Sequence, residues 1–320
     1  MSNELPAGHK SPAERASEQG LNKLSEEERK LHALLVPAYH KSAIPLSKFE
    51  GLYDSNMIAM DTAYVEEREQ AFERRDNPEL AFFTRRAELF EALVREEIKT
   101  ANWLGSEAKP VTASRYDDIK NGVDLIVEFL KKEGTNRLAL SVDVTSNITS
   151  LEDKLQKIKG QIIKGKLTEV KYFIGSDGNR QEIQNVPRVV IGTESRVIQE
   201  LSELRLEIHT CVQALKHSSS AELSEETTKW YRARGISATE KLESHRVQTL
   251  ILDEMRLQLE AFIIFARKNG QETIVAEYEK ALRIIRELRE SKRNLPEQTD
   301  MNNLDSVYGA LKVGLKIFEE

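Results

Sequence analysis

The chain has 320 residues, with 47 Lys and Arg against 53 Asp and Glu, a net charge of −6. At ~150 residues per domain this length suggests two domains, and the acidic balance excludes an overall basic nucleic-acid coat while leaving room for local basic patches. A single cysteine, Cys211, excludes an internal disulfide and a multi-cysteine zinc site.

No apolar run reaches the ~18 residues of a membrane span, and the first twenty residues lack an apolar signal core. The expectation is a soluble, helix-rich cytoplasmic protein with no membrane partner. Residues 1–24 carry Pro6, Pro12 and no apolar period, and read as a tail. Ser25 to Glu28 has capping-box spacing ahead of Leu31, Leu34 and Leu35, which predicts a short helix that ends in the stretch Pro37–Pro45. Ser55–Arg75 is helical text, and Asp76-Asn77-Pro78 is a stop signal. Phe83, Ala87, Phe90, Val94, Ile98 and Ala101 recur at threes and fours, so Phe83–Leu104 is an amphipathic helix ended by Gly105.

From Val111 the texture changes. Val111–Ser114, Gly122–Leu130 and Arg137–Thr145 are short, and the last two are rich in β-branched residues, as strands require. A helix over Ser150–Lys164 follows, with Leu151, Leu155, Ile158 and Ile162 on one face. Two further strands are expected at Glu169–Ile174 and Arg188–Ile191, the second ending at Gly192 ahead of a helix carrying Val197 to Leu215. Beyond Ser218 a loop of Ser and Glu leads into helices at Ala238–Asn269, Glu272–Lys292 and Leu304–Phe318. The predicted divisions are the tail, a helical segment 25–80, an α/β core 81–217 and a helical region 218–320.

Two predicted strands carry an acid where an apolar residue is expected. Alternation puts Asp124, Ile126 and Glu128 on one face of the first, and Ser141, Asp143 and Thr145 on one face of the second. Carboxylates brought together on neighbouring strands repel unless a cation neutralises them. Mg²⁺, which takes oxygen ligands and commonly binds through one or two carboxylates plus substrate phosphate, is the expected metal for Asp124 and Asp143.

The order of elements and acids resembles the PD-(D/E)XK, restriction-endonuclease-like nuclease family. In that family a Glu-bearing helix precedes three strands, the second carrying Asp and the third (D/E)-x-K, before another helix and strand. Residues 83–215 offer the matching positions Glu91, Asp124 and Asp143-Val144-Thr145. The resemblance implies an α-β-β-β-α-β core with helical N-terminal and C-terminal additions, and Mg²⁺-dependent phosphodiester hydrolysis on nucleic acid. Thr145 stands where the family has Lys. Members of the fold can move that Lys to the next helix, where Lys154 and Lys159 flank the apolar face, and Lys159, about 40° from Leu155 on the wheel, is preferred. Glu91, Asp124, Asp143 and Lys159 are thus the expected catalytic residues, with Glu97 a rival to Glu91.

Other signals are weaker. Asp117-Asp118 could assist a metal or sit in a polar loop. Gly192 could expose amides to a phosphate, as in a nucleotide-binding enzyme, and Arg283, Arg286, Arg289 and Arg293 could follow a phosphate backbone. The six histidines have no zinc-hydrolase spacing. The second functional expectation is a non-catalytic interaction protein, using the apolar faces of Ala238–Asn269 and Leu304–Phe318 against a partner or a second copy.

Overall fold

In the computed structural model Ser25 caps the first helix, α1 (Glu26–Lys41), through the expected reciprocal box. Its hydroxyl accepts from the Glu28 amide at 3.0 Å, and its own amide donates to Glu28 Oε2 at 2.7 Å. Glu28 also takes both arms of Arg86, at 2.6 and 2.9 Å, with each residue at most 1% exposed. That ion pair pins α1 to the helix Ala81–Thr100. Pro37 does not end α1. The helix runs on to Lys41 because Val36 and Tyr39 are buried around it, and this packing outweighs one lost amide.

The structure describes residues 23–75, 81–130, 137–146, 148–217, 224–295 and 305–319. The expected tail, save Lys23 and Leu24, and the Asp76-Asn77-Pro78 stop lie outside them. The described elements continue as α2 (Ser55–Arg75), α3 (Ala81–Thr100), β1 (Ala108–Thr112), α4 (Arg115–Asn121), β2 (Leu125–Leu130), β3 (Arg137–Thr145) and α5 (Leu151–Ile163). Then come β4 (Thr168–Ile174), β5 (Arg180–Val186), β6 (Arg188–Gly192), α6 (Ser195–His217) and α7 (Glu225–Glu243). Three more helices close the chain: α8 (Val247–Lys268), α9 (Glu272–Ser291) and α10 (Ser306–Gly314). The chain is a mixed α/β protein with helical ends.

Four strands form one sheet in the order β1-β2-β3-β6, with β2 antiparallel to β1 and β3, and β6 parallel to β3. The helix α5 and the β4–β5 hairpin supply the crossover that a parallel pair requires. Leu125, Val127, Leu140 and Val142 face the large core beneath α3, whereas Ile126 and Ala139 face a smaller cluster under the hairpin with Val170 and Phe173. The large core runs from Leu31 to Phe318, so α1 and the C-terminal helices share it with the sheet.

The departures from the sequence reading have physical causes. Residues 115–121 form a helix rather than a polar loop, because Ser114 caps it by accepting from the Asp117 amide, and Gly122 ends it in the left-handed region at φ 69°. The strand β5 has one fully buried residue, Val186, so it lacks the apolar alternation that marks strands. The Ser- and Glu-rich loop is in part the helix α7, whose apolar positions are sparse. The apolar faces of α8 and α10, expected to meet a partner, are spent inside the large core.

β6 is the edge strand next to β3, and among the described residues no further strand pairs with its outer side. The helix α8 covers it: Gln258 Oε1 accepts from the Val190 amide at 2.8 Å and Nε2 donates to the Val190 carbonyl at 2.6 Å. Glu254 Oε2 accepts from the Gly192 amide at 2.9 Å. Two side chains thus do the work of a further strand. Replacing Gln258 by Leu leaves both Val190 groups buried and unpaired, and should cost about 2–6 kcal/mol in urea unfolding, at ~1–3 kcal/mol per orphaned group. A cost below ~1 kcal/mol would show that water reaches this edge.

Candidate functional site

The register of the β2–β3 ladder decides the site. Leu125 lies opposite Val142, so one step further Asp124 falls opposite Asp143. The two carboxyls come close enough at the ladder's end for their charges to interact. Asp124 stands just ahead of β2 rather than within it. Its Oδ2 accepts from the Val144 amide at 2.7 Å, which ties it to β3.

Cations of the chain itself neutralise Asp143. Lys154 of α5 donates to Asp143 Oδ1, and Arg188 of β6 to Oδ2. Lys154 Nζ also lies 3.3 Å from the Val144 carbonyl. Arg188 is 3% exposed and donates to the Asn121 carbonyl at 2.8 Å. Gly122 makes room for it, since a Cβ there would come within 2.6 Å of Arg188 Nη2.

Lys159, the preferred lysine of the sequence reading, is directed elsewhere. Its Nζ donates to the Ile317 carbonyl at 2.5 Å and stands 5.2 Å from the Phe265 ring centroid, so it serves the contact between α5 and the C-terminus. The lysine beside the acids is Lys154. One face of a helical wheel cannot separate the two, because the choice depends on which edge of α5 overhangs the strand ends.

Glu91 of α3 reaches the same recess. Its carboxyl interacts electrostatically with Asp124 and Asp118, and the Tyr39 hydroxyl stands against it. That hydroxyl lies 3.4 Å from the Asp124 carbonyl, as its donor. Glu97 belongs to a different contact, 3.5 Å from Arg205 of α6, and Glu88 pairs with His32 at 3.2 Å. Asp117 and Asp118 take separate roles. Asp117 is buried and accepts from the amides of Lys171 and Tyr172 at 2.8 and 3.0 Å, locking β4 to α4. Asp118 faces the site and pairs with Arg115, which reaches Glu69 of α2 at 2.7 Å.

Burial pushes the carboxyls of Glu91 and Asp124 well above the usual range. For Glu91 the charges of Asp124 and Asp118 add to this, and for Asp124 those of Asp143 and Asp118. Asp118 shifts upward too, by burial, against the opposing pull of Arg115. Burial opposes the charge on Lys154, but Asp143 and Asp124 outweigh it and raise its pKa. Glu91, Asp118, Asp124 and Lys154 are half-buried rather than sealed, so a ligand could approach them.

Among the described residues, no group of three or more His, Cys, Asp or Glu side chains is placed to hold a metal ion. The Asp124–Asp143 pair keeps the donor chemistry of a Mg²⁺ site, but both Asp143 oxygens are engaged, so a metal must compete with Lys154 there. Gly192 does not present free amides. Its amide binds Glu254, a Cβ would meet Val307 at 2.5 Å, and Asp305 accepts from Thr193 and Glu194 beside it. Gly192 is a packing glycine. Three of the four arginines in the basic set Arg283, Arg286, Arg289 and Arg293 are paired with acids, Arg286 with Glu260 at 2.8 Å, Arg289 with Asp253 at 3.2 Å and Arg293 with Glu290 at 3.0 Å. Among the described residues no helix is long and apolar enough to cross a membrane. Comparison with family models, with curated proteins and with solved structures finds no match for this chain.

Tyr39, Arg115 and Arg188 escaped the sequence reading. Tyr39 sits in a helix assigned to another segment, and Arg188 heads a strand that looked purely structural.

The raised carboxyls set a pH dependence. Below the ordinary carboxylate range, folded and unfolded chains bind these protons alike. As pH rises, the unfolded chain releases them while the folded chain holds them, so stability falls until the folded pKa is passed. Asp124→Asn removes one such group and keeps an oxygen for the Val144 amide. The variant should match the wild type in urea unfolding near pH 4 and exceed its stability at pH 8. Equal pH slopes for the two proteins would contradict the raised Asp124 pKa.

Proposed function

We propose that the chain is a PD-(D/E)XK-like, Mg²⁺-dependent phosphodiesterase acting on nucleic acid, with Lys154 in the place of the motif lysine. The convergence of Glu91, Asp124, Asp143 and Lys154 at one end of the sheet carries this reading. The order α3-β1-β2-β3-α5-β6 supports it, as does the parallel pairing of β3 with β6. Bound between Asp124 and Asp143, Mg²⁺ would supply charge neutralisation for a phosphodiester and a more acidic water. Lys154, now paired with Asp143, would direct its ammonium toward a phosphoryl oxygen if that carboxylate held the ion. Glu91, whose carboxyl is pushed upward by burial and which Tyr39 backs, would donate a proton or accept a water hydrogen bond.

A second reading, a non-catalytic interaction protein on the same scaffold, draws on a specific observation: both oxygens of Asp143 are already paired with Lys154 and Arg188. A cleavage assay separates the two. Plasmid, single-stranded DNA and RNA are incubated with Mg²⁺, Mn²⁺ or chelator, using wild type, Asp124→Asn and Lys154→Met. The nuclease reading expects metal-dependent cleavage that falls by roughly 10²–10³ in each variant. Metal-independent traces of equal size in all three proteins would leave the scaffold reading.

A further inference from the structure

The helix α7 lies against α6 through Tyr231, Gly235, Ala238 and Leu242, one seam at helical spacing. Gly235 permits the approach, since its Cβ would come 3.2 Å from Cys211 Cβ. Beside that seam the pair leaves apolar surface uncovered. Ile236 is 59% exposed and Val212 of α6 is 41% exposed. Between them runs a groove of about 440 Å³, lined also by Ile208 and Leu215. Single exposed apolar residues are ordinary on protein surfaces, but a contiguous patch on one helix hairpin calls for an occupant.

The charges around Ile236 identify that occupant. On the α7 wheel Lys229, Arg232, Glu240 and Glu243 all lie within about 40° of Ile236. The basic pair precedes Ile236 by seven and four residues, and the acidic pair follows it by four and seven. A two-fold axis through Ile236 that sets α7 antiparallel to an identical helix therefore places each Arg232 against a Glu240 and each Lys229 against a Glu243. The ladder is about 21 Å long, at 1.5 Å per residue. Arg232, Glu240 and Glu243 make no ion pair among the described residues. Lys229 pairs with Glu225 at 2.7 Å, and both of those side chains are more than two-thirds exposed. The strip is thus self-complementary about one point, which is what an isologous two-fold contact requires.

We propose that a second copy of this chain docks here, α7 against α7 in antiparallel sense, with Ile236 and Val212 at the centre and the two charge pairs as rim. The contact differs from the faces of α8 and α10, which the protein's own core consumes, and it stands whether or not the chain cleaves phosphodiesters.

Sedimentation velocity of the full chain over a range of concentrations tests it, with circular dichroism confirming that each variant is folded. The wild type should approach a dimer at high concentration, and Ile236→Asp should remain a monomer. Arg232→Glu alone sets like charges together twice, and so does Glu240→Arg alone. Each should raise the dimer dissociation constant at least about tenfold. The double variant, Arg232→Glu with Glu240→Arg, restores complementarity and should recover most of the wild-type affinity. Recovery in the double variant is specific to the antiparallel register. A wild type monomeric at every concentration, or a double variant no better than the singles, would overturn the proposal.

Discussion

The candidate site depends on charge compensation at the end of the β2–β3 ladder. Asp143 is 3% exposed and would be costly to bury alone; Lys154 and Arg188 each take one of its oxygens. The clamp joins β3 to the helix α5 that follows it and to β6, which lies beyond the parallel crossover. It also sets the state of its neighbours. With the cations committed to Asp143, Asp124 and Glu91 receive little compensation, and burial holds them toward the protonated form. A recess with one saturated carboxylate and two raised ones is charge-poor, and an incoming divalent ion would have to displace protons as well as Lys154.

The helices outside the sheet complete this recess. The Glu28–Arg86 pair and the capping box fix α1 on α3, and α1 in turn presents Tyr39 to Glu91 and to the Asp124 carbonyl. The helix α2 buries few apolar residues and is attached largely through polar groups. Its Asp61 accepts from Lys171 and Tyr172 of β4 at 2.5 and 2.6 Å, while its Glu69 holds Arg115. Lys171 also lies between 5.3 and 5.4 Å from the ring centroids of Tyr53, Tyr116 and Tyr172. That aromatic setting stabilises the ammonium beside its carboxylate. The residues around the acids are therefore drawn from more of the chain than the segment that carries the family resemblance.

Helices with strong periodicity were legible in order and nearly in extent, as with α3 and α9, because a continuous apolar stripe has one physical solution. The β-branched segments β3 and β6 were legible for the same reason. Elements held by other forces were not. The helix α4 is nucleated by a serine cap and a glycine stop rather than by an apolar face, and β5 is held by pairing with β4. Asp124 and Asp143 were visible as acids in apolar surroundings. Which lysine joins them was not, because Lys154 and Lys159 flank the same stripe.

The residue order by itself determined that the chain carries a mixed α/β core with helical ends, and that Asp124 and Asp143 interrupt apolar strands. Those properties follow from periodicity and composition, which act over a few residues. Only the tertiary structure decided that the two acids sit side by side at a ladder end, that Lys154 rather than Lys159 meets them, and that Arg188 and Tyr39 join the group. These contacts span separations from 11 residues, between Asp143 and Lys154, to 85, between Tyr39 and Asp124. Their geometry comes from strand register and helix docking, which the burial of the whole core sets and no local pattern encodes.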